Sequence, residues 1–409
     1  MNIRTESDAL SRVATGHDGD RFFADVQGAA EVLRERLHGR RVLAIGAAGS
    51  IGAATIQALT KFRPATLHVV DQNENTLVEL VRDLRSSSNE WHIDDFRTVP
   101  LDCGSPVMAA FMDAAGPYDY VLNFAALKHV RSEKDVFSLT QLLDTNLLKQ
   151  ARLLRWMAER GYQGRYFCVS TDKAANPVNL MGASKRLMEH LIFSRELNRD
   201  FQMEVTSARF ANVAFSDGSL LAGFLQRLEK RQPLAVPRAT RRYFVSLREA
   251  GHICLLAAVV GPAGHIMVPR LNAESDLKDL ESIAAGVLTE FGLRARFYDE
   301  EQAAKERLAS DLSEGAYPVL RTVLDTSGEK PFEEFVGVGE TEREAGFRHL
   351  VAVPAAPVAV ETLNTFLSRL EALASGRVRP SKQEVVAWVS EVVPTFNHME
   401  SAKHLDQRM

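Results

Sequence analysis

The densest run of reactive side chains is STDKAANPVNLMGASK, from Ser170 to Lys185. Within it Thr171, Asp172 and Lys173 place a hydroxyl, a carboxylate and an amine on three successive residues, forming one centre at the C-terminal end of a strand-like run, where open α/β sheets bind ligands. Lys185 begins an amphipathic pattern through Leu187, Met188, Leu191 and Ile192, so its ammonium is expected to reach back to that centre and supply positive charge. Met181, four residues before Lys185, offers a thioether, which exchanges no proton. The residues imply a charged centre that binds a small ligand at a strand end.

A second run, IGAAGSIG, carries Gly46, Gly49 and Gly52 directly after an apolar stretch and opens a helical segment through Ser50 and Ile51. The first glycine permits a tight turn, the second lets backbone approach a pyrophosphate, and the third lets helix pack on strand, with the helix N-terminus facing the phosphates. LHVVD follows and ends in Asp71, about 20 residues on, where a carboxylate takes the adenosine ribose hydroxyls. The expected cofactor is NAD, with NADP possible, because Asp71 repels a 2′-phosphate and no Arg lies immediately beside it, and the Lys185 ammonium is expected to reach its nicotinamide ribose. Asp102, just after the third strand, reads equally as an adenine contact or a solvated loop residue. Asn123, Ala125 and Ala126 follow the fourth strand, where small residues let the chain run close beneath a cofactor.

These groups need elements to hold them. VLAI at 42–45, LHVV at 67–70, YVLNF at 120–124 and YFCVS at 166–170 alternate with helical stretches, which is βαβ rhythm. Runs apolar throughout are expected of parallel strands covered on both faces. The predicted fold class is therefore α/β, a Rossmann-like doubly wound parallel sheet with a smaller α/β C-terminal substrate lobe. Residues 1–40 read as a helical extension, loosely ordered over 1–20 and then helical with Val26, Ala30, Leu33 and Leu37 on one face. Residues 41–215 read as the dinucleotide-binding domain, with parts of the later chain returning to it, and 216–409 as mainly substrate lobe and C-terminal helices. Helical patterns are expected at 274–291, 358–373 and 381–393, the first stopped by Gly292 and the last capped by Ser381 with Glu384. The charged run from Asp299 to Glu314 reads as a solvated helix surface.

At 409 residues, 45% of them hydrophobic, the chain can bury a large core without a disulfide frame. Its net charge of -4 arises from 49 basic and 53 acidic residues spread along the chain, so neither a nucleic-acid surface nor a polybasic membrane patch is expected. Cys103, Cys168 and Cys254 lie far apart and outside any CxxC pattern, which reads as buried thiols in a reducing compartment. The eleven histidines lack ligand spacing, so no metal is expected. The N-terminus lacks the order of a secretory signal, and the longest apolar run, Ile253 to Val260, is too short to cross a bilayer. A cytoplasmic location follows as the expectation.

The strings GAAGSIG, NFAALKHVRSEKD, STDKAANPVNLMGASK, SARFANVAFSDGS, TRRYF and SGEKPFEEF together resemble the extended short-chain dehydrogenase/reductase superfamily. Within it they resemble the nucleotide-sugar 4,6-dehydratases of bacterial polysaccharide and nonulosonic-acid biosynthesis. ELVRDLRSS and the closing FNHMESAKHLDQRM resemble a soluble subgroup of legionaminic-type pathways, whose donors are UDP- or GDP-linked N-acetylglucosamine. Met181 stands where the superfamily carries a Tyr, and the resemblance is to a branch that shares this Met and resembles retaining enzymes. It implies that Thr171 hydrogen-bonds O4, Asp172 protonates the departing C6 hydroxyl and Lys173 removes the C5 proton. The last role requires Lys173 to be lowered by burial and by Lys185. The cofactor would be regenerated within each turnover.

The same resemblance brings Lys128 and His129 toward the sugar, and Arg209, Asn212 and Arg242 toward the diphosphate through charge-assisted bonds. Glu329 and Lys330 fall near the nucleotide ribose or brace the lobe. Each of these reads equally well as an ordinary salt bridge. Ala211 and Phe215 replace glycines common in related enzymes. Two other functions share these features: a nucleotide-sugar epimerase, and a non-catalytic cofactor-binding protein, which would have no reason to keep both Lys173 and Lys185. Related enzymes commonly associate, so a homo-oligomer is open, with the N-terminal helix either at a contact or capping its own subunit.

Overall fold

The computed structural model describes residues 8–86, 93–323, 330 and 332–399. Its strands in chain order are β1 (Arg41–Ile45), β2 (Thr66–Asp71), β3 (Asp95–Pro100), β4 (Tyr120–Asn123), β5 (Arg165–Val169), β6 (Glu204–Ala208), β7 (Asn212–Val213) and β8 (Leu234–Pro237). They continue with β9 (Arg241–Val245), β10 (His265–Pro269), β11 (Leu277–Asp279), β12 (Arg294–Tyr298), β13 (Ala316–Thr322), β14 (Arg343–Glu344) and β15 (Leu350–Pro354). Nine form one sheet in the order β14-β15-β10-β6-β5-β4-β1-β2-β3. It is parallel from β3 through to β10, while β15 and β14 add an antiparallel edge.

The four apolar runs of the sequence are β1, β2, β4 and β5, and alternate residues of each feed opposite faces, as a period of two requires. Val42, Ala44, Leu67, Val69, Leu122 and Phe167 pack on one side with Ile56 and Leu59 of α4 (Ser50–Thr60). Leu43, Ile45, Val70, Val121, Tyr166 and Cys168 pack on the other with Leu139, Leu142, Leu187 and Leu191. The helices on these faces include α7 (Val136–Leu143), α8 (Lys149–Glu159) and α9 (Leu180–Phe193).

Later chain packs on this sheet. The helix Leu247–Val259, opened by a Ser246/Glu249 capping box, is buried from Glu249 onward and packs against α4. The second lobe holds a parallel sheet in the order β12-β13-β8 and a small sheet β11-β9-β7. Gly292 follows the helix Leu280–Glu290 at φ +71, and Ser381 with Glu384 forms the predicted capping box of the helix Lys382–Val392.

Three expectations need correction. Residues 8–15 are not loose: the helix Asp8–Thr15 buries Leu10 and Ala14 in the second lobe's core, while Val26, Leu33 and Leu37 join the core of the large sheet. The helices Val360–Ala374 and Lys382–Val392 do not extend the second lobe. Leu363, Phe366, Leu370, Val385 and Val389 pack into the large sheet's core on the side of α7 and α9. The charged run 299–314 is not wholly solvated, because Asp311 is fully buried and accepts from Arg296 and from the Tyr298 hydroxyl at 2.8 Å. Among the described residues, no helix is long and apolar enough to cross a membrane.

Candidate active site

A cavity of about 470 Å³ opens at the C-terminal ends of β1, β2, β4 and β5, where open α/β sheets bind ligands. Gly46, Gly49, Ser50, Ile51, Gly52, Asp71 and Asp102 line one end. Gly46 holds φ +67, and a Cβ there would lie 2.5 Å from the Ala125 nitrogen. A Cβ on Gly52 would lie 2.3 Å from the Ala47 Cα, so both positions exclude other residues by backbone contact. At Gly49 a Cβ would meet only the Gly46 carbonyl at 3.7 Å, so the backbone there borders open space at the start of α4. That cradle fits a pyrophosphate.

Asp71 braces the turn it faces, accepting from the Ala48 amide at 3.2 Å and the Asn73 amide at 3.0 Å. Asp102 pairs with Lys149 at 2.6 Å and accepts from Gly104. Burial raises the Asp102 carboxyl, but these bonds outweigh it and hold the group below its ordinary range. It is thus neither free nor simply solvated.

Beyond β4, Ala125, Ala126, Lys128 and His129 line the cavity, but Asn123 does not. Its amide is consumed by Gln150 at 2.7 Å, Tyr166 at 3.1 Å and the Ala125 nitrogen at 2.9 Å, so it shapes the loop from below. Asn146 does the same from a π-helical turn, Asp144–Leu148. It accepts from Leu127 N and donates to Leu127 O and the Ser184 hydroxyl, tying the loop to α9. Burial lowers Lys128, whose ammonium donates to the Asp217 carbonyl at 2.8 Å. Asp217 in turn exchanges hydrogen bonds with Ser50, so its segment bridges the glycine turn and the loop after β4. Within that segment Phe215 sits at φ +57, a conformation natural to the glycine it replaces, and Ala211 lines the cavity.

The reactive triplet lies where β5 ends. Thr171 Oγ1 donates to Asp172 Oδ1 at 2.8 Å, and Lys173 donates to the same oxygen from its amide at 2.9 Å and its ammonium at 3.1 Å. The Asp172 side chain is 1% exposed, and its Oδ2 makes no hydrogen bond among the described residues. Met181, Lys173 and Lys185 line the same cavity. The Met181 amide donates to Glu133 at 3.0 Å, and the Lys185 ammonium donates to the Val169 carbonyl at 3.0 Å.

Charges differ from expectation. Burial lowers Lys185, against the weaker pull of Cys168 and Glu189. Burial also lowers Lys173, but Asp172 and Glu333 outweigh it, so the amine is raised rather than lowered, and Lys185 is no cause. Lys173 therefore starts as an ammonium.

Of the predicted diphosphate ligands, Asn212 lines the cavity and Arg209 does not. Arg209 is 0% exposed and spends all five N–H groups: two on Glu189 at 2.7 and 2.6 Å, two on Glu340 at 2.6 and 2.9 Å, and one on the Phe335 carbonyl at 3.0 Å. It has no donor left for a ligand. Arg186 joins the network through Glu189 and Glu340, and the Ser170 hydroxyl donates to Glu189 at 2.6 Å. Burial raises Glu340, but Arg209 and Arg186 bring it down to about 2. Arg242, on β9, influences Lys173 and Glu333 without lining the cavity. Glu329 lies outside the described residues, and Lys330 donates to the Asn176 carbonyl, bracing the lobe. The three cysteines are buried, with burial pushing Cys103 and Cys254 to about 12 and Cys168 to about 11.

Residues 42–307, more than half the chain, match the family described as "Polysaccharide biosynthesis protein". An uncharacterized membrane protein of Methanocaldococcus jannaschii is 32% identical over 245 residues, 59% of this chain and 69% of that one. The capsular polysaccharide biosynthesis protein CapD of Staphylococcus aureus is 29% identical over 61% of this chain, but the match spans only 41% of its own length. At 25% identity stand both a UDP-N-acetylglucosamine 4,6-dehydratase (inverting) of Campylobacter jejuni, over 57% of this chain and 68% of its own, and a UDP-glucose 4-epimerase of Rickettsia bellii, over 58% and 67%. The solved structure of Pen from Bacillus thuringiensis shares the fold at TM-score 0.61 and 19% identity, covering 78% of this chain and 87% of that one.

Proposed function

From the premise that the chain belongs to the polysaccharide biosynthesis protein family, we propose that it is an NAD-dependent 4,6-dehydratase of UDP- or GDP-linked N-acetylglucosamine. Its product, a 4-keto-6-deoxy nucleotide sugar, would feed nonulosonic acid or surface polysaccharide synthesis. The observation that carries this reading is the pairing of a buried Asp172 with a partly exposed Lys173, facing a cavity in which Met181 occupies the tyrosine position and which no tyrosine lines among the described residues. An acid and a base side by side are what removal of a C5 proton and loss of the C6 hydroxyl require, beyond what exchange at C4 alone demands.

The turn at Gly46, Gly49 and Gly52 with Asp71 would hold the dinucleotide, Asp71 favouring an unphosphorylated ribose. When bound, the nicotinamide supplies reversible two-electron oxidation at C4 and reduction at C6. Thr171 would hydrogen-bond O4, whose proton would pass to Lys185 in its uncharged form, the form that burial favours over the ammonium. The Asp172 carboxylate would take the C5 proton, acidified by the C4 ketone. The Lys173 ammonium would protonate the C6 hydroxyl as the C5–C6 double bond forms and water departs. Asp172 then returns its proton to C5, and solvent passes the proton on Lys185 back to Lys173. These roles for Asp172 and Lys173 reverse those implied by resemblance, because Lys173 is charged at the outset.

Mass spectrometry of UDP- and GDP-N-acetylglucosamine, each incubated with the NAD-loaded protein, tests the reaction. Loss of one water is expected from one donor. A new isomer of unchanged mass would make the protein an epimerase, and two inert donors would refute both activities.

A further inference from the structure

The acidic residue closest to the Lys173 ammonium outside the triplet is Glu333, whose Oε1 lies 4.0 Å from Nζ. Its side chain is 5% exposed and does not line the cavity, so it is not placed to touch a substrate. The carboxylate stands between two cations among the described residues, its Oε1 4.0 Å from Lys173 and its Oε2 4.0 Å from Lys330. Its place is enforced from both sides. Asn176, just beyond the triplet, donates to Glu334 at 2.7 Å and accepts from the Val338 amide at 2.9 Å. Further on, Arg209 grips the Phe335 carbonyl and Glu340, while Glu340 also accepts from the Gly337 amide at 2.6 Å. The saturated network thus anchors the segment that carries Glu333 over the triplet.

We propose that Glu333 is a positioning residue that keeps the proton on Lys173, so that Asp172, Lys173 and Glu333 work as one cluster with the donor charged before substrate arrives. This rests on the reading that the triplet performs the proton transfers. Lys173 faces Asp172 on its own turn, Glu333 on the overlying segment and Arg242 on β9, with Lys330 beyond Glu333. The two carboxylates hold the proton and Arg242 opposes them. Burial pushes the Glu333 carboxyl up, and Asp172 adds to this, against Lys173, Lys330 and Arg242.

The test replaces Glu333 by Gln and, separately, by Asp. Two quantities are read against pH: the rate of water loss, and the labelling of Lys173 by acetic anhydride followed peptide by peptide. Removing an opposite charge at this distance is expected to lower the Lys173 labelling midpoint in Glu333→Gln by on the order of one pH unit. The alkaline limb of the rate profile should fall with it, giving about a tenfold loss of rate above that limb and little loss below it. Glu333→Asp should recover most of both shifts. A uniform loss of rate at every pH with an unmoved labelling midpoint would reduce Glu333 to a structural brace and overturn the proposal. If no donor is dehydrated, the functional reading fails, while the labelling midpoint still decides the coupling. Should Glu333→Gln not fold, the wild-type protein decides: Lys173 must titrate above Lys185, and the opposite order overturns the proposal.

Discussion

Two clusters of charge share the turn after β5 and the segment 333–340, and they are built to different standards. In the first, Arg209 and Arg186 meet Glu189 and Glu340, and the Arg209 guanidinium has no N–H unspent. In the second, Asp172 keeps one oxygen without a hydrogen bond and Lys173 stands 4.0 Å from Glu333. Desolvated charges are costly unless paired, so the fully spent Arg209 marks the cluster that holds the fold, although Arg186 Nε beside it makes no hydrogen bond among the described residues. Incomplete pairing marks groups kept ready for another partner.

The contrast breaks most visibly at Arg209. Arg209→Met should destabilise the protein by about 3–5 kcal/mol, because two carboxylates stay buried with only Arg186 between them. Urea unfolding measures this, and a loss near zero would place the network among replaceable ion pairs. In the second cluster, Lys173→Met should slow water loss by about 10²–10⁴-fold while lowering the unfolding midpoint less than Arg209→Met does, because Lys173 is partly exposed. Solvent-deuterium uptake at C5 of the 4-keto sugar then separates the roles: it should survive Lys173→Met and vanish in Asp172→Asn. The reverse pattern would restore Lys173 as the C5 base.

Acid sharpens the comparison. Glu340 is held at about 2 in the folded chain, below the ordinary range for Glu, so its contribution is complete above roughly pH 5 and is lost as pH falls toward 2. That contribution is on the order of 3 kcal/mol. His190, lowered to about 4 by burial and Arg186, adds a loss in the same direction beginning below about pH 6.5. Unfolding midpoints taken between pH 7 and pH 3 should fall steadily, and in a Glu340→Gln variant they should fall less. The smallest effect is a control. Ser381→Ala, which removes a capping box far from both clusters, should cost about 1 kcal/mol and leave turnover unchanged.

The division between what the sequence reveals and what it hides follows the range of the interactions. The glycine turn, Asp71 and the four apolar strands are local patterns, set by backbone sterics and period, and the structure places them as read. The triplet, Met181 and Lys185 are also close in sequence and meet at one cavity. Arg209 reads equally as a diphosphate ligand or a salt bridge because its partners Glu189 and Glu340 come from distant segments, and the structure shows the salt bridge. Glu333 sits in the recognised string SGEKPFEEF, yet nothing local separates it from Glu329 or Glu334. Asn123 and Asn146 escaped for a related reason, since an amide that shapes a loop looks like one that touches a ligand.

The helix pair Val360–Ala374 and Lys382–Val392 gives α9 the standing of an interior helix, with every residue from Leu180 to Ile192 buried. Met181 and Lys185 therefore ride on an element that has no solvent face on which to fray. In hydrogen exchange its amides should be among the last to yield, opening only with the whole domain. The lysine at the reacting centre would then be held as steadily as the core itself.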